Sequence, residues 1–340
     1  MKLFKTLIIF ILGLNILIFL TESILCNFNY PSSHLSIYKF DENIGYKYSQ
    51  GLYCIDIGPK HVKIDVDEDD IIDRYGEGPA EIIILGDGVI AGLEYEPEKR
   101  LGHIIGSTSN KTTVNLSVPG YGTVQQLIAF ETWLKHHNVP KYLVILHNLT
   151  NDYYDNVQNW EGNRVPTVKE TNNGYDYILP RNPNYFGRTI RYLFWSSRSY
   201  NLLFKAKPVP QIATSIIPKE QRYVYNEKFE KCAENGNSVL RITSKAIKKL
   251  ALKYNIKIMW LIWRDYEAEY LSELNGDIAL QNISKLTGIN LNDLIVVNSI
   301  EKDFDQKKWR TDWINSFSRH ATEEGLEKIS IIISNRMKSL

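Results

Sequence analysis

Residues 81–92 read EIIILGDGVIAG, and the rest of the chain falls into place around them. Four consecutive apolar residues, Ile82 to Leu85, stop at Gly86 and Asp87. That is the pattern of a short strand buried on both faces that breaks into a tight turn. Such a turn lies at the carboxyl end of a parallel strand, where open α/β sheets bind ligands. Gly86, Gly88 and Ala91 also satisfy the G-x-G-x-x-G/A spacing of a dinucleotide fingerprint. The fingerprint requires an acidic residue about twenty positions on, at the end of the next strand. The next apolar run, Thr113 to Leu116, ends instead in Ser117 and Val118, so dinucleotide binding is a subordinate reading.

The same rhythm recurs downstream. Thr113 to Leu116 leads into Val118-Pro119-Gly120-Tyr121-Gly122. Thr123 then reads as a helix cap, with Gln126 completing a capping box. A third buried strand, Tyr142 to Leu146, ends in His147-Asn148-Leu149-Thr150-Asn151-Asp152. Strand, loop, helix, strand, with polar residues gathered at successive strand ends, predicts a doubly wound α/β sheet. Residues 153–236 break the rhythm and read as an insertion over the active face, around a helix near Thr189 to Phe204. The sheet resumes with a helix over about Ser238 to Tyr254, a strand from Ile256 to Trp263 and another from Leu294 to Asn298. A last helix runs from about Thr322 to Met337, with Glu323 and Glu324 at its positive end.

At the amino terminus Lys2 and Lys5 precede the apolar run Leu7 to Leu20. Residues 1–26 therefore read as a signal anchor or signal peptide, single-pass, with the remainder outside the cytoplasmic membrane. Residues 27–77 form a β-rich linker, and 78–340 the main domain. The run Asp65, Asp67, Asp69 starts like a calcium loop but has Asp70 at its sixth position and Gly76 at its twelfth, so it reads as a solvated acidic turn. Cys26, Cys54 and Cys232 lack metal-ligand spacing; Cys54 and Cys232 either pair or stay as thiols. Forty basic against thirty-nine acidic residues give no bulk attraction for nucleic acid. The 21 tyrosines and 7 tryptophans fit a packed core as well as a sugar cleft.

Taken in order, the blocks of residues 78–335 resemble the SGNH, or GDSL-type, hydrolases, in their membrane-anchored, envelope-facing form. In that family's first block, Gly-Asp-Ser with a glycine a few residues on, Gly86, Asp87 and Gly92 match while Gly88 replaces the nucleophilic serine. Gly120 matches the second-block oxyanion glycine, and Asn151 the oxyanion-hole asparagine, although Leu149 replaces the usual glycine before it. His320 matches the catalytic histidine, but Phe317 and Ser318 occupy the positions of its orienting aspartate.

The resemblance implies a three-layer α/β/α, flavodoxin-like fold, preceded here by the N-terminal hydrophobic helix. It places His320, Gly120 and Asn151 in the site with Asp87 and Asp152 in support, and it implies no metal and no cofactor. Serine esterases need a hydroxyl, a histidine, a carboxylate to hold the imidazole and donors for the oxyanion. With hydroxyl and carboxylate both missing from their positions, the expectation is a relative of the esterases and acetyltransferases that act on O-acylated glycans, degenerate as a serine esterase. The alternative is a non-catalytic protein that binds glycans or supports assembly in envelope-polysaccharide modification.

Simpler roles exist for each residue. Gly88 serves a left-handed turn, Asp87 caps the following helix, and Asn151 closes its own loop. Asp312 is a distant substitute for the missing carboxylate, and Ser117, Ser316 and Ser318 are hydroxyls near the blocks. His136, His137 and His147 read as solvent or loop histidines.

Overall fold

The computed structural model describes residues 32–33, 37–57, 60–148, 152–156, 165–172, 174–180, 219–264, 276–297 and 320–340, with Gly13 and Thr21; for 32–33, 56, 60–61, 153–154, 219–235 and 276–279 it describes the backbone alone. The expected N-terminal hydrophobic helix, apart from Gly13 and Thr21, and the expected helix near Thr189 lie outside the described residues, as do Asn151, Asp312, Phe317, Ser318 and the side chain of Cys232.

In chain order the strands are β1 Ser32–Ser33, β2 Tyr38–Asp41, β3 Gly45–Tyr48, β4 Gly51–Ile57, β5 Lys60–Val66, β6 Asp73–Tyr75, β7 Ile82–Leu85, β8 Thr113–Asn115, β9 Tyr142–Asn148, β10 Thr167–Thr171, β11 Gly174–Ile178, β12 Lys257–Trp263 and β13 Leu294–Val296. The helices are α1 Gly88–Ala91, α2 Leu101–Ser109, α3 Thr123–His136, α4 Asp152–Asp155, α5 Lys219–Tyr254, α6 Gly276–Thr287 and α7 Glu323–Ser339.

The unbroken apolar run of β7 is explained by its place near the centre of a six-stranded sheet of order β13-β12-β9-β7-β8-β6. Helices cover both faces, so successive side chains that point opposite ways must all be apolar. Ile82 and Ile84, with Val144 and Leu146 of β9, pack on Leu101 and Ile105 of α2 and on Leu326, Ile329 and Ile333 of α7. Ile83 and Leu85 face the other way, onto Leu127 and Phe130 of α3 and Leu240 and Ile247 of α5. The result is a helix–sheet–helix sandwich.

Strands β8, β7, β9, β12 and β13 run parallel. The expected wholly parallel sheet needs one correction, because edge strand β6 pairs antiparallel with β8, Asp73 opposite Asn115. Residues 76–81, which join β6 to β7, are too few for the crossover that parallel strands require.

Residues 37–75, expected as part of a β-rich linker, carry hairpins β2–β3 and β4–β5. They do more than connect. Ile37, Tyr48, Ile55 and Ile64 share a core with Val118, Tyr121, Val124 and Ile128, at the start of α3. The acidic turn is held by its own neighbours: Asp70 pairs with Lys39 and Lys47, and Arg74 with Asp67 and Asp69. Within the insertion the described residues include hairpin β10–β11, whose Tyr175 and Tyr177 hydroxyls donate to Glu131 of α3. There α5 also begins earlier than its apolar periodicity suggested, at Lys219.

Two helix starts differ in outcome. At α7, Thr322 is the cap, its Oγ1 accepting from Gly325 N at 3.0 Å. At α3 the cap is Gly122 rather than Thr123. Gln125 Oε1 accepts from Gly122 N at 3.2 Å, because the Thr123 hydroxyl is committed to Asn156 Oδ1 at 2.9 Å.

Candidate active site

After β7 the chain turns through Gly86 and Asp87 into α1. Asp87 caps this single turn of helix, its Oδ1 accepting from Val89 N at 2.9 Å. The turn closes at Gly92, whose φ of 67° is left-handed, a conformation that costs glycine no Cβ clash. The chain then reverses through Leu93, and Glu94 points back into the protein.

His320 arrives from the far end of the sequence and is pinned onto the same turn. Ala321 N donates to Val89 O at 3.2 Å, and the Tyr95 hydroxyl donates to Ala321 O at 2.8 Å. The imidazole meets Glu94, with Nδ1 3.0 Å from Oε1 and 3.3 Å from Oε2. Glu94 is buried and His320 only partly so, at 2% and 24% side-chain exposure. This overturns the reading that the imidazole lacks an orienting carboxylate. Glu94 supplies one from a different place, six residues after Gly88 instead of just before His320. Its signal in the sequence was a lone acid in the apolar stretch Val89–Tyr95, just past a helix-ending glycine.

The other ring nitrogen faces Gly88. A Cβ built on Gly88 would stand 2.6 Å from His320 Nε2 and 3.1 Å from Cε1. Real Cβ atoms do not approach that closely, so glycine at 88 gives the imidazole its place. Gly88 has no positive φ, so the left-handed-turn reading of this residue does not hold. Backbone freedom is needed at Gly92, and space at Gly88.

Nδ1 thus pairs with Glu94, while Nε2 lies against the Gly88 turn. Burial disfavours the charged imidazole, but the hydrogen bond with Glu94 and the negative charges of Glu94 and Asp87 outweigh it, and the His320 pKa is raised from its ordinary value.

The neighbouring strand ends meet at this edge of the sheet. Asn148, which ends β9, donates to Asp87 Oδ2 at 3.4 Å. Asp87, Asp152 and Asp155 each bring a carboxylate oxygen within 4.8 Å of the others, and they are the described residues able to hold a cation here. Asp152 accepts from Asn148 N at 3.1 Å and pairs with His147 Nδ1 at 2.8 Å, both side chains being fully buried. His147 is thus a core residue, which corrects its reading as a solvent or loop histidine; β9 runs two residues further than expected and carries it inside. His136 and His137 are exposed. Burial pushes the Asp152 carboxyl up to about 6, and burial with the charges of Asp152 and Asp87 pushes Asp155 up to about 9.

Gly120 lies in the turn after β8 with φ 78°. The Tyr46 hydroxyl, from hairpin β2–β3, donates to Pro119 O at 2.8 Å and stands 2.8 Å from where a Cβ of Gly120 would be. Next to it, a Cβ on Gly122 would meet Asn156 and the Asp155 backbone within 2.9 Å. The second block therefore packs on α4, which carries Asp152 and Asp155. Ser117 is buried against Gly86.

Fold and site together define a mixed α/β protein with a histidine–carboxylate pair at the carboxyl edge of a mostly parallel sheet. No protein-family model and no curated protein matches the chain. Among solved structures, it is similar to an acetyl xylan esterase from the rumen bacterium Butyrivibrio proteoclasticus, with a TM-score of 0.33 and 7% identity over 82% of this chain and 66% of that one.

Proposed function

We propose that this protein is an SGNH-hydrolase-like ester hydrolase that has given up serine chemistry and uses the His320–Glu94 pair as a general base on water. The observation that carries the reading is the buried carboxylate 3.0 Å from Nδ1 of a histidine whose Nε2 lies over Gly88, the position of the missing serine. Burying a glutamate is costly, and its pairing with the imidazole holds the ring and stabilises its charge.

In the proposed step, Nε2 takes a proton from water as the oxygen adds to the acyl carbon. Gly120 N–H and Asn151, in the roles the resemblance implies, steady the resulting oxyanion. The tetrahedral species then expels the alcohol, which takes the proton back from the imidazolium, and a carboxylic acid leaves. Gly88 offers no side chain for acylation, so no covalent acyl-enzyme forms. For substrate we propose O-acylated glycan outside the cytoplasmic membrane, a location supported by Lys2 and Lys5 before the apolar run of residues 7–20. Among the described residues no helix is long and apolar enough to cross a membrane.

The test is hydrolysis of 4-nitrophenyl acetate and of acetylated oligosaccharides by the full chain. Wild type should turn over slowly and resist labelling by a fluorophosphonate. His320→Ala should remove about 10²- to 10⁴-fold of the rate, the range for a positioned base. Glu94→Gln should lower it in the same direction. If wild type and His320→Ala both hydrolyse no faster than buffer, the glycan-binding alternative replaces this reading; a variant that keeps a wild-type rate above buffer shows that His320 is not the base.

A further inference from the structure

A second feature lies toward the edge of the sheet where the strands begin. A groove of about 560 Å³ runs between α5 and α6, lined on one wall by Arg241, Lys245, Lys248 and Lys249, with Leu252 at one end and Lys285 on the other wall. No carboxylate and no aromatic ring is among its lining residues. In a chain of net charge +1 this is a marked local excess of one sign.

The helix sets the spacing. Arg241, Lys245 and Lys249 recur every fourth residue, so they stand on one face about 6 Å apart along the axis. Like charges at that separation repel and weaken a helix, and two of the cations have partial relief. Arg241 makes a two-pronged pair with Glu170, at 3.1 and 2.6 Å. Lys248 donates to the carbonyl of Gly288 at 2.8 Å, at the end of α6. Lys245, Lys249 and Lys285 extend into solvent, and Leu252 is 83% exposed beside them.

We propose that this groove binds a linear phosphate polymer that carries no bases. Charge complementarity calls for a polyanion, and cations stand on both α5 and α6 along the groove. Lysine ammoniums bind phosphate as point charges that need no fixed approach, and the arginine among the lining residues is already paired. Proteins that hold single-stranded nucleic acid stack its bases on aromatic rings, and this groove has none.

Fluorescence anisotropy with the full chain and labelled inorganic polyphosphate tests the assignment. Wild type should bind, and Lys245→Glu with Lys249→Glu and Lys285→Glu should weaken binding at least about tenfold, with affinity falling as salt rises. The milder Lys→Gln triple should weaken it in the same direction. In wild type, polyphosphate should shield those three lysines from acetylation more than it shields Lys338. Equal binding by wild type and both variants overturns the proposal, as does tighter binding to a single-stranded oligonucleotide, to polygalacturonate or to anionic vesicles, each compared with polyphosphate on the same protein.

Discussion

At the scale of single residues, Gly88, Glu94 and His320 form one unit, and a change at one is read through the others. A serine written at 88 places its Cβ where His320 Nε2 now approaches to 2.6 Å. The imidazole has to swing aside before any hydroxyl can be activated, and its bond to Glu94 resists that swing. Gly88→Ser should therefore gain fluorophosphonate labelling that is slow, increases with time, and is lost in Gly88→Ser/Glu94→Gln. No aspartate at 317 or 318 is needed for it. Labelling of the serine variant that does not depend on Glu94 would show that another group orients the ring. The same pair sets a pH profile. A base works only when neutral, and the raised pKa of His320 moves the rising limb of kcat/KM above the ordinary histidine value of about 6.5. In Glu94→Gln that limb should shift back to lower pH, which a merely structural glutamate would not cause.

At the scale of elements, α7 and the turn after β7 hold the site. His320 is two residues before the Thr322 cap, and α7 is anchored on the sheet by Leu326, Ile329 and Ile333, all fully buried. Leu326→Ala leaves a cavity next to β7 and should cost about 2–5 kcal/mol by denaturant titration. Thr322→Ala removes one cap bond and should cost about 1 kcal/mol. It should also lower activity more than Leu326→Ala does at equal fraction folded, because the cap sets the direction in which the His320 turn enters the helix. Equal losses from the two would mean that the helix as a whole, and not its first turn, positions the imidazole.

At the scale of the whole molecule, several chain-distant carboxylates are gathered at one end of the sheet, which ties stability to pH. Asp152 and Asp155 titrate at about 6 and about 9 in the folded protein, against about 3.9 when unfolded. Both shifts are upward. Their contribution to stability is fully present below about pH 4 and is lost as pH rises through the folded values, because the unfolded chain releases these protons more readily. Urea titrations from pH 5 to 9 should show that loss, after subtraction of the same series for Asp155→Asn, in which the upper part of the decline should vanish. Unchanged slopes in the variant would remove Asp155 from the account.

The apolar run Ile82 to Leu85, with its shortness and its breaking turn, pointed by itself to a two-faced strand, since four apolar residues in a row along a strand need a sheet covered on both sides. The spaced strand ends at 86, 117 and 147 likewise made the doubly wound order legible, because local pattern and turn chemistry carry that information. The antiparallel edge strand β6 was not legible, since pairing partners are chosen across the sheet and leave no mark on a three-residue stretch. Nor was the burial of His147, which only the full length of β9 fixes. The sequence also left His320 apparently without a carboxylate, because a search beside it in the chain finds Phe317 and Ser318. Tertiary structure alone brought Glu94 to within 3.0 Å of a residue 226 positions away. A hydrogen bond depends on where two atoms lie in space, and residue spacing along the chain constrains that only within a single element.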